Sequence, residues 1–536
     1  MFRFGFRVST KVDHRTLGDL LEMAESGRTG TKRACGPSTW IRKQATGRGI
    51  PMDVLAWKIH DGWQAWYKPL IQRRMWFSRP ILRIRSAMPA KVESTPALPG
   101  LSPIGGKPVI ARFDGGSLSS DGGLLVLREV EQRLNVAGRL AACIADPRDP
   151  ARVMHGLDEI IRFRLLMIAA GYEDGNDADR LRTDPMFKLA MARLGSEAAL
   201  CSQPTISRLE NLPDTRALLR MGQAMVDLYC GSFRRVPRRI VLDVDDTFDA
   251  VHGAQQMRLF NAHYDEYGFQ PIVVFDGEGH FVTAVLRPAK RPSGREIRAF
   301  LRRMLRQIRA NWPRVEILLR ADSHYCSPEV LTWCRANKID YLLGVAPTST
   351  LRRHIESLEA STAARFAASD GSGKLRRFTE FCDGAASWDR VERIIARVEA
   401  GPDGTDTRFI VTSLPGGSAR ALYERRYCQR GQAENHIKSW KRHLAADRTS
   451  CSKATANQVR LFLHAGAYWL MSSLRTLMPR RSSWRTAQFD TLRLRMIKLA
   501  VRVVEMKTQV KLHLPSRAPC QSILAFALGR VPRLTC

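Results

Sequence analysis

Acidic side chains occur at three points of a chain whose predicted strands and helices alternate: within one strand, at the end of another strand, and on a helix. In the segment VLDVDDTF, strand alternation puts Asp243 and Asp245 on one face and Asp246 on the other. Asp322 ends the apolar strand VEILLRAD, and Glu434 belongs to a helix after the last strand. Carboxylate oxygens are the hard ligands that Mg²⁺ prefers, and two such ions can activate an attacking oxygen and stabilise a leaving one. We therefore predict a two-metal phosphodiester site, in which Mn²⁺ can replace Mg²⁺.

The helix that carries Glu434 presents three further polar side chains on the same face. Tyr427, Arg430, Glu434 and Lys441 lie within about 60° of one another at roughly 100° per residue. Arg430 can donate two hydrogen bonds to a phosphate, and Lys441 supplies a point charge. Tyr427 can hydrogen-bond a phosphate or pack against a sugar. This stripe indicates a metal-binding carboxylate flanked by groups that bind DNA.

The elements that must position these residues follow one another in a recognisable order. Three β-branched runs, RRIVLDVDD, GFQPIVVFD and HFVTAVLRP, predict antiparallel strands. Helix SGREIRAFLRRMLRQIRANW, strand VEILLRAD, helix PEVLTWCRAN and strand DYLLGVA come next. Three strands, helix, strand, helix, strand is the order of the ribonuclease H fold. We predict an α/β protein whose ribonuclease-H-like mixed sheet is formed by 236–350 and 407–510, with an insertion subdomain at 351–406 and further helices to about 508.

The terminal segments differ from this core. Residues 1–95 form a basic extension with 18 Lys and Arg against 7 Asp and Glu. This extension is either a DNA-binding arm or the product of an over-long gene start, since Met88 precedes a linker-like stretch. Residues 96–235 predict a mainly helical DNA-end-binding module that opens with a short strand pair, VIARFDGG and GGLLVLREV. Residues 511–536 are assigned as a C-terminal tail.

Within the helical module, FKLAMARLG and SQPTISRLENL have the spacing of a helix-turn-helix pair. Ser202 would be the N-cap of the second helix and Pro204 would lie in its first turn. That arrangement offers Thr205, Ser207 and Arg208 to the major groove. The alternative is an ordinary capped helix on the protein surface, and the sequence leaves both interpretations open.

The overall charge selects the class of partner. The 536 residues contain 85 Lys and Arg against 52 Asp and Glu, a formal net charge of +33, which suits a polyanion. No apolar run approaches the roughly 18 to 20 residues that span a bilayer, so double-stranded DNA is favoured over a membrane. No cysteine pattern has zinc-site spacing. We expect a cytoplasmic protein associated with a bacterial nucleoid.

The polar stripe fills the pattern Y-x2-R-x3-E-x6-K without a gap and resembles the YREK signature of insertion-sequence DDE transposases. The segments FDGGSLSSDGGLLVLREVE, LDVDDT, HGAQQ, FNAHYDEYGFQP, LRPAKRPSG, RADSHY and YCQRGQAENHIK resemble the same superfamily across most of 108–510. The resemblance implies cut-and-paste transposition by a homodimer that binds two terminal inverted repeats and then target DNA. In such a reaction water attacks first, and the freed 3′-hydroxyl then attacks the next strand.

By that resemblance, Asp245, Asp322 and Glu434 are the catalytic metal ligands, because Asp245 begins the D-x-T motif. Asp243 stays the alternative first ligand, since it shares the face of Asp245. The inserted segment touches the cleaved end in relatives, and Trp388 within it either stacks on an extruded base or packs in the core. Two other functions remain open: a ribonuclease-H-fold nuclease without strand transfer, and an inactive DNA-binding remnant.

Overall fold

The computed structural model describes residues 97–369 and 373–535. The predicted basic extension, 1–95, lies outside these ranges. The strands of the described residues are β1 (Leu118–Ser119), β2 (Arg239–Asp246), β3 (Asp249–Ala250), β4 (Leu259–Asn261), β5 (Glu266–Phe269), β6 (Ile272–Asp276), β7 (Phe281–Val285), β8 (Glu316–Ala321), β9 (Ile339–Val345), β10 (Leu375–Asp383), β11 (Glu392–Gly401), β12 (Gly404–Thr412), β13 (Val501–Glu505) and β14 (Val510–His513).

The α-helices of the same ranges precede, separate and follow these strands. They are α1 (Leu124–Leu134), α2 (Val136–Ala141), α3 (Leu157–Ala170), α4 (Ala178–Leu181), α5 (Pro185–Ala190), α6 (Gln203–Glu210), α7 (Thr215–Gly231), α8 (Gly294–Asn311), α9 (Pro328–Ala336), α10 (Ser349–Arg353), α11 (Glu356–Ala367), α12 (Gly431–Lys438), α13 (Ala454–Leu477), α14 (Phe489–Leu492) and α15 (Gln521–Leu528). None of them is long and apolar enough to cross a membrane.

One eight-stranded mixed sheet positions the candidate residues. Its strand order is β10-β11-β12-β9-β8-β2-β6-β7. β2, β6 and β7 are antiparallel neighbours, whereas β2, β8 and β9 run parallel. The predicted antiparallel trio is thus confirmed, as is the order of three strands, helix, strand, helix, strand. β6 and β8, the neighbours of β2 on either side, are buried along almost their whole length.

The segment predicted as an insertion extends this sheet. After α10 and α11, β10 and β11 pair antiparallel along nine residues each. β11 pairs in turn with β12, and β12 pairs with β9. The low-complexity stretch at 370–372 lies outside the described residues. The strands of the described part of 351–406 therefore continue the core sheet beyond β9.

The N-terminal part of the described chain is mainly helical, but the predicted strand pair is wrong. Only Leu118–Ser119 is extended there, and GGLLVLREV begins helix α1. The physical reason is close packing at Gly123, where a Cβ atom would lie 2.0 Å from the Met496 carbonyl oxygen. The chain has to turn at this point, and the apolar residues that follow are buried as one face of a helix, including Leu127, Val130 and Leu134.

The C-terminal part also departs from the sequence prediction. Helix α13 is buried along most of its 24 residues. Helices were predicted to continue to about 508, yet the chain forms β13, which pairs with β1 and β14. Alternating burial in β13, with Val501 and Val503 inward and Arg502 outward, explains why this stretch is a strand. The assigned tail begins within β14 and contains helix α15.

Candidate active site

Two aspartates lie side by side at the carboxyl ends of neighbouring parallel strands. β2 and β8 are in register through Val244 and Ala321, so the next residues are Asp245 and Asp322. Asp322 leaves the strand and caps a short 3₁₀ turn, where its Oδ1 accepts a hydrogen bond of 2.9 Å from the His324 backbone N–H. The parallel pairing of β2 with β8 therefore brings together residues that are far apart in sequence.

Asp243, the alternative first ligand, has a different environment. Its two carboxylate oxygens accept hydrogen bonds of 2.6 and 2.7 Å from Nε and Nη2 of Arg320 on β8. Both side chains are only 3% exposed. Arg320 also donates to the Arg426 carbonyl oxygen at 2.6 Å. Burial raises the pKa of Asp243, and the bidentate contact with Arg320 opposes that rise. Both oxygens of the Asp243 carboxylate are thus engaged in a buried ion pair.

Asp245 is more open and is less completely neutralised. Its side chain is 13% exposed, and its Oδ2 accepts a hydrogen bond of 2.9 Å from Nη1 of Arg430. Burial raises the pKa of Asp245 to about 7, Arg430 lowers it, and the nearby carboxylates of Asp322 and Asp246 raise it further. The pKa of Asp245 is thus raised chiefly because the carboxylate is buried, and to a smaller extent because two carboxylates lie near it.

The helix that carries Arg430 and Glu434 is continuous but irregular. It consists of a π-helical stretch at Ala421–Tyr427, a 3₁₀ turn at Cys428–Arg430, α12, and a second π-helical stretch at Ser439–His443. Wider π turns shift the angular position of each later side chain relative to a uniform α-helix. The predicted stripe nevertheless faces the carboxyl ends of the strands, because Tyr427, Arg430 and Lys441 all contact this edge.

Tyr427 lies against β9, beside Asp322. A Cβ atom at residue 344 would lie 2.8 Å from the Tyr427 hydroxyl and 2.9 Å from the backbone nitrogen of Ser323. Gly344 is therefore required for this close approach, which the sequence alone did not reveal. Burial raises the pKa of the Tyr427 phenol, so it stays protonated at neutral pH and can act as a hydrogen-bond donor.

Glu434 is the most exposed member of the predicted carboxylate set. Its side chain is 68% exposed, and its Oε1 lies 3.6 Å from Nη2 of Arg430, one helical turn earlier. Arg430 consequently lies between Asp245 and Glu434. Burial lowers the pKa of the Arg430 guanidinium, but Asp245, Asp322 and Glu434 outweigh that effect and the net shift is upward. The arginine is the local counter-charge for the carboxylates.

Lys441 is partly exposed, and its ammonium group is bound to the protein. Its ammonium group donates to the Thr247 hydroxyl at 3.3 Å and to the Phe248 carbonyl oxygen, and it lies 3.2 Å from Oδ1 of Asp249. Asp249 is buried, which raises its pKa to about 7 against the lowering effect of Lys441. Lys441 thus ties the end of the Glu434 helix to the turn that follows β2.

Asp246 completes the cluster on the other side of β2. Its Oδ1 accepts a hydrogen bond of 2.8 Å from Gln270, and its Oδ2 accepts one of 3.3 Å from the Tyr325 hydroxyl. Sequence reasoning missed the roles of Gln270 and Tyr325. Gln270 lies within the predicted strand GFQPIVVFD, and Tyr325 comes three residues after Asp322, so their nearness to the candidate strands was the available signal.

The carboxylates fit a divalent cation by chemistry, although they do not all converge. Asp245, Asp246 and Asp322 offer the hard oxygen donors that such a cation prefers. Across 97–369 and 373–535, however, no three His, Cys, Asp or Glu side chains are grouped closely enough to hold a metal ion. Glu434 is held by Arg430 instead of meeting the two aspartates.

The remaining predicted DNA contacts lie elsewhere. Arg208 is exposed on α6, and its Nη2 donates to the Thr205 hydroxyl at 3.4 Å. Ser202 is the N-cap position of α6 and Pro204 lies in its first turn, although the Ser202 side chain makes no capping hydrogen bond. Trp388 lies in the turn between β10 and β11, half-buried against the hydrophobic core. The structure therefore does not bring Arg208 or Trp388 to the carboxylates.

Comparison with known proteins assigns the family. The model of the Transposase DDE domain group 1 family matches residues 101–536, which is most of the chain. The chain belongs to this DDE transposase family. No curated protein matches this transposase.

Two solved structures are similar to the transposase at low identity. The cryo-EM structure of the piggyBac transposase synaptic complex with hairpin DNA is 12% identical, with a TM-score of 0.36 over 71% of this chain and 80% of that chain. The Mos1 transposase paired-end complex with left transposon end is 12% identical, with a TM-score of 0.15 over 42% of this chain and 74% of that chain.

Proposed function

We propose that this transposase cleaves DNA at the terminal inverted repeats of an insertion sequence and joins the cleaved ends to target DNA. The observation that carries the proposal is the placement of Asp245 and Asp322 at adjacent carboxyl ends of β2 and β8, with Arg430 joining Asp245 to Glu434. The strand order of the sheet supports a ribonuclease-H-like core. Its partners are double-stranded DNA and a second copy of the chain, in a cytoplasmic, nucleoid-associated complex.

Asp245, Asp322 and Glu434 are the proposed ligands of two Mg²⁺ ions, with Mn²⁺ as a substitute. Such ions supply activation of the attacking oxygen and stabilisation of the leaving oxygen. We favour Asp245 over Asp243 because both oxygens of Asp243 are occupied by Arg320. Asp245 is partly exposed, and Arg430 engages only its Oδ2, so the carboxylate keeps acceptor capacity for a metal.

The neighbouring side chains have separate proposed roles. Arg430 neutralises the carboxylates and can bind the phosphate of the reacting strand with its planar guanidinium. The protonated Tyr427 hydroxyl can donate a hydrogen bond to the same phosphate or orient the Asp322 turn. Lys441 is proposed as a positioning residue, because its ammonium group fixes the Glu434 helix to Thr247 and Asp249. Arg208 on α6 is the proposed contact to the DNA end.

The experiment uses the full-length protein, a labelled duplex of the inverted repeat that flanks the gene, target plasmid and Mg²⁺. Cleavage at the end of the repeat followed by a joined product is the expected result. Nicking without a joined product would favour a nuclease instead. Asp322→Ala and Glu434→Ala are expected to abolish both products while duplex binding persists, because a lost ligand removes the metal but not the phosphate contacts. Cleavage by either variant would reject the ligand assignment.

A further inference from the structure

An aromatic hairpin follows Asp245 and Asp246 along the chain. We use this name for Phe248 with β4 and β5 and the turn between them, which present Phe260, Tyr264 and Tyr267. These last three rings are 44%, 48% and 47% exposed. Aromatic side chains of this size are usually buried in the core or in an interface. A group of them exposed to solvent beside a candidate active site therefore indicates a binding surface.

The rings of the aromatic hairpin are held in fixed positions. Phe248 and Tyr264 stack with centroids 4.2 Å apart and planes inclined by 12°. Phe260 and Tyr267 are direct partners across β4 and β5, with centroids 5.4 Å apart. A Cβ atom at residue 268 would lie 2.5 Å from the Phe248 ring, so glycine is required there. The ring surfaces are therefore ordered before any ligand binds, which lowers the entropic cost of binding.

Two independent sets of contacts anchor the aromatic hairpin to the active site. Asn261 on β4 donates to the Ala289 carbonyl oxygen at 3.1 Å and to Gln270 at 3.5 Å, and Gln270 donates to Asp246 at 2.8 Å. On the other side, Lys441 of the Glu434 helix donates to the Phe248 carbonyl oxygen. The position of the rings is thus coupled to the carboxylates and to the helix that carries Glu434.

The chemistry of the hairpin favours nucleobases over phosphate. Arg258 lies over the Tyr267 ring at 4.5 Å from its centroid, an arrangement that adds a flat cation to the ring surface. The tip also carries Asp265 and Glu266, both exposed, which oppose binding of a phosphate backbone. Flat rings with one stacked guanidinium are what successive unpaired bases stack on, without dependence on sequence.

We propose that the aromatic hairpin binds unpaired bases of the DNA strand whose end lies at the carboxylates. The inference rests on the proposed function, since it concerns the same DNA at the same site. It assigns Tyr264 and Tyr267 as base-stacking residues that hold a frayed or cleaved strand end.

The test measures binding of full-length protein in EDTA, so that no cleavage occurs. One probe is a fluorescein-labelled duplex with blunt ends, and the other is the same duplex with a few unpaired nucleotides at one 3′ end. A 2-aminopurine at the first unpaired position reports stacking by quenching of its fluorescence. The variants are Tyr264→Leu and Tyr267→Leu. The matched control is Phe526→Leu on α15, another exposed aromatic with an arginine, Arg530, over its ring.

Wild-type protein is expected to prefer the extended duplex and to quench 2-aminopurine. Each tyrosine variant should weaken binding of the extended duplex by about tenfold, leave blunt binding unchanged and lose quenching, whereas Phe526→Leu should behave as wild type. Equal binding of both duplexes by wild type, or equal weakening of both by the variants, would overturn the proposal. A changed association state of the variants in sedimentation would overturn it in favour of a second copy covering the hairpin. Because the assay needs no metal, its failure is distinguishable from failure of DNA cleavage.

Discussion

Asp243 and Asp245 are two residues apart on one face of β2, yet their surroundings differ in kind. Asp243 is paired with Arg320 from the adjacent strand, and both side chains are 3% exposed. Asp245 is paired with Arg430 from a helix, at exposures of 13% and 16%. The first cation is fixed by sheet register, whereas the second also contacts Glu434. One strand thus carries two carboxylates, two residues apart, whose counter-charges come from a neighbouring strand and from a helix.

The two pairs should also contribute differently to stability. A bidentate pair with its remaining hydrogen bonds satisfied is costly to break, because the partner left behind is a buried charge. Burial raises the pKa of both carboxyl groups, so each of them costs stability where it is ionised. Asp245 has the more open surroundings and should therefore cost less when its arginine is removed.

The largest expected effect separates the two aspartates by activity. Asp245→Asn should lower metal-dependent cleavage by several orders of magnitude while the protein stays folded, because an amide is a poor ligand for Mg²⁺. Asp243→Asn should keep measurable cleavage at a temperature where it is folded. Gel assays of end cleavage, with circular dichroism on each variant, give the answer. Loss of cleavage in folded Asp243→Asn alone would reverse the assignment.

The second prediction compares removal of the two arginines that pair with these aspartates. Arg320→Met leaves Asp243 buried and unpaired, and we expect a loss of about 3 to 5 kcal/mol in the free energy of unfolding. Arg430→Met should cost clearly less, since Asp245 is more open, but it should weaken cleavage. Denaturant unfolding of both variants measures the difference. Equal destabilisation would show that the site near Asp245 is as closed as the one near Asp243.

A third effect concerns pH in metal-free protein. The folded pKa of Asp245, about 7, lies above its ordinary value of 3.8. Its contribution to stability is therefore fully present below pH 3.8 and is lost as pH rises to about 7. Asp245→Asn should be more stable than wild type at pH 8 by about 2 kcal/mol, after allowance for solvent screening, and not at pH 3.5. A pH-independent difference would contradict this explanation.

The smallest expected effect concerns Arg208 on α6, away from Asp243 and Asp245, and tests whether this helix contributes to DNA binding. Arg208→Ala should weaken binding to a terminal-repeat duplex by about fivefold and leave cleavage of bound DNA unchanged. Arg302→Ala on α8 removes the same charge from another exposed helix face and serves as the control. Anisotropy titrations compare the two. If both variants bind equally well, α6 has no specific role.

The sequence predicted the strand order of the core and the position of Asp322 at a strand end, because apolar runs and strand ends are local features. The assignment of Asp322 and Glu434 as metal ligands stays a prediction. Alternation could not separate Asp243 from Asp245, because it gives both the same face. The contact that favours Asp245 is the pairing of Asp243 with Arg320, which is 77 residues away and depends on sheet register. Lys441 was predicted on a uniform helix, but the π turns around α12 and the buried Asp249 determine where its ammonium lies. The aromatic hairpin was missed because FNAHYDEYGFQP lacks strand alternation.

The helix that carries Glu434 is attached to the sheet edge on both sides of that residue, by Tyr427 beside Gly344 and by Lys441 at Thr247. Its backbone is therefore already ordered when a ligand arrives. The conformational entropy still to be lost at this point is chiefly that of the exposed Glu434 side chain, about 1.5 to 2 kcal/mol for a glutamate. Bringing Glu434 to its proposed place as a third ligand thus costs the rotational freedom of one side chain rather than the ordering of a segment.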